Sequence, residues 1–598
     1  MQNDNQKNTL IFLVIMFVVV MGYQFLVMEP QQRRAQQARA AAAAAQAAAH
    51  PGASAAPGAP PPAINLTRAQ ALAASPRIPI ATPSVQGSLA LKGGRVDDLF
   101  LVRYPETTAK NAPSVELLRP QNSAGAFYSD FGWYGSNLPG LPDENTLWTA
   151  QAGARLTPET PVTLTYRSPQ GLQFTRTISV DKDYMFTVAD TLGNGTGAPV
   201  ALTPYGAVVR SGLPPVTRGN AAFQGAVGWL GKLRTSNYKD LKKKSAQQFD
   251  VTGGWLGITD KYWLAALIPD QHQPITAHYR TTSTPAGDVY DVSFNDKPVT
   301  VQPGRQVTVT HRLFAGAKTV PILQGYQKAG VPEFDRAIDW GFLQVITRPV
   351  FWLLEQFYHL LGNFGLAILL LTVCVRAAFF WPSNKSYESM TKMKKVQPEL
   401  EKIRKRNKDD PAKQQQEMMA LYGREKINPV MGCLPVLATI PVFLALYKVL
   451  SVTIEMRHAP FFGWIRDLSA PDPSNIWNLF GLIPWDPSTA PLIGSVIGAG
   501  GHLQLGVWAL AYGITMFLTQ SMSPQTGMDP TQAKIMKFFP VVFTFVLAQF
   551  AVGLLIYYTW SNILGIVQQY IIMRRFKVDN PIDAIIRRLT GKPAPAAT

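Results

Sequence analysis

The sequence predicts a multi-span α-helical membrane protein with an all-β domain inserted between its first two spans. The apolar residues of this 598-residue chain are strongly clustered, although they make up an ordinary 47% of it. Segments of about 20 apolar residues are long enough to cross the hydrocarbon core of a bilayer. Between two such segments, short alternating stretches separated by Gly, Pro, Asn and Asp are typical of an antiparallel β-sandwich.

The apolar segments predict six transmembrane helices. The first, in residues 1–29, is interpreted as an uncleaved signal-anchor, because its apolar run exceeds a typical signal-peptide core. A tight turn at Ala551-Val552-Gly553 is expected to divide the last apolar stretch, which is too long for one crossing. The fifth span would rise only about 24 Å, which implies local thinning of the bilayer. The later predicted spans cover residues 362–382, 428–452, 503–520, 535–550 and 553–573.

The distribution of basic residues predicts that both chain termini are cytoplasmic. Lys and Arg are enriched in cytoplasmic loops of membrane proteins. The segment 384–427 carries twelve of them and the tail 574–598 carries six, whereas residues 453–502 carry two. The formal net charge of +18 is therefore interpreted mostly as a consequence of membrane topology.

The segment on the outer side is expected to have three parts. Residues 30–63 are rich in Ala, Gln and Pro and are interpreted as a flexible linker. Residues 64–325 form the predicted β-sandwich. Residues 333–361 are predicted to form an amphipathic helix along the outer membrane interface, because Phe334, Ile338, Phe342 and Ile346 recur every four residues.

The predicted cytoplasmic parts are a helical hairpin at residues 383–426, a short loop at 521–534 and the basic tail. In the hairpin, Met390, Met393, Val396, Leu400 and Ile403 follow helical spacing and predict one amphipathic helix. A second helix is predicted to begin with Asp410 as N-cap and Pro411 in the first helical position.

No pattern of residues points to catalysis. The phosphate-binding loop of nucleotide-driven pumps is absent, and none of the seven histidines is paired at a metal-ligand spacing. Both cysteines fall in predicted spans, which excludes a disulfide framework. We therefore expect a protein that is not an enzyme and that has no catalytic residue, cofactor or metal site.

Arg376 is the candidate functional residue. It lies in an apolar run, residues 365–381, where a charge near the bilayer centre costs roughly 2.5–3.5 kcal/mol. The later spans contain no Asp or Glu to neutralise it. Two interpretations remain open: a water-filled, positively charged pocket, or a side chain that reaches the inner headgroups. Thr372 lies one turn earlier on the same face, and Tyr557, Tyr558, Ser561 and Asn562 of the last span are candidates to line such a pocket.

Several short motifs, in order from about residue 340 to 575, resemble the YidC/Oxa/Alb family of bacterial inner-membrane protein insertases. They are the runs at 372–376, 387–393, 415–422, 428–435, 441–447 and 464–469, followed by Met522-Ser-Pro524 and Tyr557-Tyr558 with Ser561-Asn562. Residues 64–325 resemble the large periplasmic domain of the family in placement and β character.

The resemblance implies an insertase and chaperone with five core helices around a hydrophilic groove that is open to cytoplasm and lipid. Arg376, Thr372 and Tyr558 match the groove residues of the family. The implied partners are nascent membrane proteins, the ribosome through the hairpin and tail, the Sec translocon and membrane lipids, with no DNA. The implied periplasmic fold is a β-supersandwich without catalysis.

Two other functions remain open, and one segment departs from the family pattern. A secondary transporter could use Arg376 to bind a small anion, although no internal repeat is visible among the spans. A structural envelope-assembly factor would use the membrane part only as an anchor. The loop at residues 475–502 looks longer than is usual in the family, so its geometry and the start of the fourth span are open.

Overall fold

The structure, a computed structural model, describes residues 66–590 except for short gaps at 136–137, 215–221, 245, 286, 408–409, 428–433, 492, 499–500, 502 and 524–529. The predicted signal-anchor and the whole of the predicted linker lie outside the described residues. The chain divides into two compact units, a β-rich one that ends at Ala337 and a helical one that begins at Ile338.

The β-rich unit contains two large antiparallel sheets, as the alternating pattern predicts. The ten-stranded sheet has the order β1-β2-β3-β5-β10-β17-β16-β13, with β4 paired to β3 and β18 paired to β10. Its strands are β1 Arg77–Ala81, β2 Val85–Ala90, β3 Arg95–Pro105, β4 Ser114–Leu118, β5 Phe127–Tyr134, β10 Val200–Ser211, β13 Ala246–Thr252, β16 Pro274–Thr284, β17 Gly287–Asn295 and β18 Val299–Val301.

The nine-stranded sheet has the order β12-β11-β14-β15-β19-β9-β8-β7-β6. Its strands are β6 Thr149–Ala150, β7 Val162–Arg167, β8 Leu172–Val180, β9 Met185–Asn194, β11 Gly225–Leu230, β12 Lys232–Asn237, β14 Trp255–Thr259, β15 Trp263–Ile268 and β19 Gln306–Ala317. Strand β8 buries every second residue, which is the period-2 pattern of a strand with one face in a core. The described residues of this unit include three helices: α1 Arg68–Ala73, α2 Tyr238–Lys244 and α3 Val320–Lys328.

The helical unit contains the remaining described helices. These are α4 Gln344–Leu361, α5 Phe364–Ala378, α6 Phe380–Lys395, α7 Gln397–Arg406, α8 Pro411–Arg424, α9 Leu434–Val452, α10 Gly494–Ile497, α11 Val507–Met522, α12 Pro530–Leu547, α13 Val552–Arg575 and α14 Pro581–Thr590. Short 3-10 turns of this unit lie at Ile454–Met456, Ile476–Gly481 and Pro487–Thr489, and another lies at Phe334–Ala337 at the end of the β-rich unit.

The predicted interfacial helix at 333–361 begins later than expected. A 3-10 turn occupies Phe334–Ala337, and α4 starts only at Gln344 and continues past Pro349. Phe334 is fully buried and packs edge-to-face against Trp255 and Phe314 of the β unit. Phe334 therefore belongs to the β core. Because the four-residue spacing was counted from this residue, it overestimated the length of the helix.

The predicted span at 362–382 also differs from the structure. Helix α5 ends at Ala378, and after Phe379 the chain turns by 68° into α6. In the described part of the chain, no single helix combines the length and apolar composition of a membrane crossing, while α5 and α6 meet that criterion only as a bent pair.

The other helix ends differ from the predicted boundaries by a few residues. Helix α11 begins at Val507 rather than 503. Helix α12 covers 18 residues, so it rises about 27 Å rather than 24 Å. The break before α13 comes at residues 548–551, just ahead of the predicted turn, because Val552 and Gly553 are already helical.

The predicted hairpin contains three helices rather than two. Helix α6 ends at Lys395 and α7 starts at Gln397, because Pro398 has no backbone N–H to continue the first helix but fits the first turn of a new one. The predicted start of the next helix is confirmed: an Asp410 side-chain oxygen accepts a hydrogen bond from the backbone N–H of Lys413 at 3.0 Å, and Pro411 follows.

Candidate functional site

Arg376 is anchored to helix α13 by hydrogen bonds to Ser561. Its side chain leaves the last turn of α5 and is partly buried. One terminal guanidinium nitrogen donates to the Ser561 carbonyl oxygen at 2.6 Å and to its hydroxyl at 2.9 Å, and Nε donates to the same hydroxyl at 3.1 Å. Ser561 of α13 therefore accepts three hydrogen bonds from the charged group.

Two further residues, Tyr387 and Gly565, also contact or make room for the guanidinium, and sequence reasoning did not assign them to the site. Together with Ser561 they form what we call the seat of Arg376. The hydroxyl of buried Tyr387, on α6, accepts a long hydrogen bond of 3.4 Å from the other terminal nitrogen. Gly565 lies one turn after Ser561, and a Cβ at this position would be 3.1 Å from both terminal nitrogens and from the Tyr387 hydroxyl. Arg376 thus lies against α13 where that helix carries no side chain.

Every acceptor that Arg376 reaches is neutral. The carbonyl and the two hydroxyls satisfy donors, but they do not neutralise the charge, and no ion pair of Arg376 occurs among the described residues. An isolated charge removed from water costs several kcal/mol unless it is paired. The partly buried guanidinium is therefore a site that favours water or an anionic group.

Thr372 and Tyr557 lie close to this charge along the helices but do not bond to it. Thr372, one turn before Arg376, is buried, and its hydroxyl donates to the Ile368 carbonyl of its own helix at 2.7 Å. Tyr557 is fully buried one turn before Ser561. Each of them therefore lies one helical turn before one partner of the Arg376–Ser561 contact.

Tyr558 and Asn562 belong to a different contact region of α13. The Tyr558 ring lies 5.7 Å from that of Tyr512 on α11 and 5.2 Å from that of Phe443 on α9, centroid to centroid. Asn562 donates to the Thr515 hydroxyl of α11 at 3.2 Å. The six predicted residues therefore lie in two regions, one around the Arg376–Ser561 contact and one where α13 packs against α9 and α11.

The signal for the missed residues was partly present in the sequence. Ser561 and Gly565 are four residues apart, so they share one face of a helix. Tyr387 begins one of the family-like runs, but nothing in the sequence shows that the bend after α5 brings α6 back toward Arg376. Among the described residues, no group of three or more His, Cys, Asp or Glu side chains is arranged to hold a metal.

Two family models cover most of the chain and match its two units. Residues 77–353 match the YidC periplasmic domain, and residues 356–580 match the 60 kDa inner membrane protein. A curated relative from Caulobacter vibrioides, named membrane protein insertase YidC, is 55% identical over the full length of both chains. The chain belongs to the YidC family of membrane protein insertases.

A second curated relative agrees with this assignment. A Maricaulis maris protein with the same name is 46% identical and covers 98% of each chain. A crystal structure described as an active YidC insertase with its first transmembrane domain resolved is similar to 83% of this chain and 92% of its own, at 18% identity and a TM-score of 0.35. The family consists of inner-membrane proteins with a β-rich periplasmic domain and a helical C-terminal region, and insertion is not an enzymatic activity.

Proposed function

We propose that this chain inserts nascent inner-membrane proteins, and helps them fold, through a hydrophilic groove that contains Arg376. The observation that carries the proposal is the uncompensated guanidinium, which is held by neutral groups of α13 and α6. A positive charge that retains access to water lowers the cost of moving an acidic or polar segment into an apolar surrounding. Thr372, Tyr557 and Ser561 would line the groove beside Arg376, and Tyr558 and Asn562 would line it toward α11.

The proposed topology has six spans, with both termini in the cytoplasm and the β unit in the periplasm. The groove would open to the cytoplasm and to lipid. Supporting this arrangement, the apolar side chains Phe538, Val541, Val542 and Val546 of α12 are exposed. They offer an apolar surface along which a substrate helix can pass into lipid while its polar segment remains near Arg376.

The proposed partners bind on the cytoplasmic side and in the membrane. A ribosome would deliver the nascent chain to the hairpin and the basic tail, and the Sec translocon would act with the insertase on some substrates. Supporting a contact with the polyanionic ribosome, the hairpin segment 384–427 carries twelve Lys and Arg. Membrane lipids would surround the spans.

Arg376→Ala is the first test. It should slow the insertion of substrates with acidic translocated segments roughly tenfold, which corresponds to about 1.4 kcal/mol in the barrier. Arg376→Lys should keep part of the rate, because the charge remains but the planar group that bonds Ser561 is lost. The measurement is insertion into proteoliposomes, scored by protease protection of the substrate.

Ser561→Ala is the matched control, because it removes the hydroxyl but keeps the carbonyl that Arg376 bonds most closely. It should slow insertion less than Arg376→Ala does. Equal slowing of acidic and neutral substrates by Arg376→Ala would contradict the electrostatic part of the proposal. Photocrosslinking of stalled nascent chains from positions 376 and 558 provides an independent test of the groove. If neither position captures a nascent chain, the proposed groove is wrong.

A further inference from the structure

The segment at residues 475–485 forms a compact loop that satisfies its own backbone. The N–H of Phe480 donates to the Asn475 carbonyl at 2.7 Å, and the N–H of Ile483 donates to the Asn478 carbonyl at 3.1 Å. The Asn478 side chain closes the loop by donating to the Trp485 carbonyl at 3.2 Å and accepting from the Gly481 N–H at 3.0 Å. Backbone groups that are paired in this way can enter an apolar medium at low cost.

The base of this loop is fixed to the start of α11. The Asn475 side chain donates to the Ile497 carbonyl at 2.6 Å, and the indole N–H of Trp477 donates to the Leu503 carbonyl at 2.9 Å. Just before the loop, the buried carboxylate of Asp472 accepts from the backbone N–H of Trp508 in the first turn of α11 at 2.9 Å. The loop therefore has a defined position at the N-terminal end of a predicted span.

The large apolar side chains of the loop point outward. Leu482 is 84% exposed, and the others are between 40% and 51% exposed. The set consists of Trp477, Leu479, Phe480, Leu482, Ile483 and Trp485. This is the reverse of a water-exposed loop, whose polar groups face solvent and whose apolar side chains are buried.

The backbone is strained in the conformation that produces this surface. Leu479 and Phe480 have φ angles of 49° and 59°, in the left-handed region that residues with a Cβ avoid. Each such residue costs roughly 1–2 kcal/mol. Strain of this kind persists where the surrounding structure holds it, and it is concentrated at functional surfaces.

The chemistry of the loop favours lipid over a soluble partner. Between residues 473 and 502 the sequence has no Lys, Arg or Glu, and Asp486 is the one acidic residue. Tryptophan is enriched at the headgroup level of membranes, where its ring is apolar and its N–H is polar. The loop lies in the segment that connects α9 and α11, two helices that are proposed to cross the membrane. The bilayer surface is therefore continuous with the apolar surfaces of those helices.

We propose that the loop at 475–485 is a wedge that inserts its apolar side chains into the outer-leaflet interface of the inner membrane. This assignment rests on the topology in the proposed function, which puts the loop on the periplasmic side. Leu482 enters the boundary between headgroups and acyl chains, and Trp477 and Trp485 lie at the headgroups. The wedge fixes the outer end of α11, and with it the depth of the insertase core, relative to the bilayer surface.

The test uses full-length protein with Cys374→Ala and Cys433→Ala, in which either Leu482→Cys or Ser488→Cys carries an environment-sensitive fluorophore. Ser488 is the matched control because it is an exposed polar residue of the same connecting segment. In nanodiscs that contain lipids with a nitroxide near the top of the acyl chain, the label at 482 should lose fluorescence and shift to the blue. The label at 488 should keep its intensity and should be quenched by aqueous iodide.

The possible results distinguish a failure of the proposed wedge from a failure of the proposed topology. A membrane-impermeant maleimide added to intact spheroplasts should label Ser488→Cys. If Ser488→Cys is labelled in intact spheroplasts, the topology stands. If, in addition, the fluorophore at 482 is quenched by iodide and not by lipid nitroxide, the wedge is wrong. If Ser488→Cys is labelled only after permeabilisation, the proposed topology fails, and the outer-leaflet wedge fails with it. Photocrosslinking from position 482 to another protein rather than to lipid would also overturn the proposal.

Discussion

At the scale of single residues, the position of Arg376 depends on the absence of a side chain as much as on its hydrogen bonds. Ser561 supplies the acceptors, and Gly565 leaves room for the guanidinium beside the helix. A glycine inside a helix costs roughly 0.5–1 kcal/mol relative to alanine. In α13, the glycine at this cost leaves room for a charged group to pack closely against the helix backbone.

Gly565→Ala is therefore expected to stabilise α13 locally but to displace the charge. The new methyl group would lie 3.1 Å from the guanidinium nitrogens, which is too close for the present position of Arg376. We expect insertion of acidic-tailed substrates to slow without a lower melting temperature. The measurements are proteoliposome insertion and thermal unfolding in detergent.

Gly423→Ala is the control for that variant, because Gly423 is also helical and an added Cβ would meet no atom within 4 Å. It should raise helix stability and leave insertion unchanged. If Gly565→Ala inserts acidic substrates as fast as the wild type does, the seat of Arg376 on α13 has no functional role.

At the scale of secondary-structure elements, the helices of the predicted hairpin are held together by a small core of their own. The core consists of Met393, Val396, Leu400, Leu421, Tyr422 and Ile427, with Ile403 and Met418 packed against it. At the tip, the side chains of Arg406 and Asn407 both bond to the Glu417 carboxylate. This arrangement makes α7 and α8 a folded hairpin rather than two independent charged helices.

Leu400→Ala should loosen this hairpin selectively. Leu400 is buried in a core of only a few side chains, and truncating a buried leucine typically costs roughly 2–5 kcal/mol. We expect faster amide hydrogen exchange across α7 and α8 in the full-length protein, with α13 unchanged. Mass spectrometry of the exchanged peptides measures both regions in one sample.

Arg424→Ala provides the contrast for that experiment. Arg424 bonds Glu399 at 2.8 Å, but both side chains are exposed, and exposed ion pairs contribute little to stability. Its exchange pattern should stay close to that of the wild type. Equal protection in Leu400→Ala and Arg424→Ala would show that the apolar cluster does not hold the hairpin.

At the scale of the whole molecule, the β unit has a buried polar link between its two sheets. Arg176 on β8 donates to both carboxylate oxygens of Asp190 on β9, at 2.7 and 2.9 Å. The same guanidinium donates to the carbonyls of Gly94 and Phe131, at 3.0 and 2.6 Å, which belong to the segment before β3 and to β5 of the other sheet. Burial by itself lowers the pKa of Arg176, but the charge and hydrogen bonds of Asp190 outweigh this effect and raise the pKa above its ordinary value, so this side chain stays charged.

Arg176→Met should destabilise the β unit by roughly 3–5 kcal/mol, because it leaves the Asp190 carboxylate buried without its partner. Since the helical unit is separately compact, we expect insertion to persist while the β unit becomes sensitive to protease. Thermal unfolding combined with limited proteolysis of the full-length protein measures this difference. Arg176→Met with Asp190→Leu should regain part of the loss.

Lys242→Met is the control, since Lys242 pairs with Asp288 at an exposed position and should cost no more than about 1 kcal/mol. Loss of insertion in Arg176→Met at a temperature where the helical unit remains folded would favour the assembly-factor interpretation, in which the β unit is central to the function.

The sequence by itself determined the class of the molecule, because class depends on patterns that the chain carries locally. Period-2 alternation predicted the sandwich, and clustered apolar segments with Arg376 among them predicted the helical part and its charged residue. Family-like motifs predicted the insertase assignment that the comparisons confirm. The Asp410 cap was predictable for the same reason, since a capping side chain and the backbone N–H that donates to it lie within one helical turn.

Only the tertiary structure decided which side chains meet. Nothing in the sequence indicates that the chain turns by 68° after Ala378, and that turn is what brings Tyr387 to Arg376. The division of the predicted residues between the Arg376–Ser561 contact and the contact of α13 with α9 and α11 also depends on helix packing. Helical periodicity shows which residues share a face, but the partner of that face is chosen by contacts among residues that are far apart in the chain.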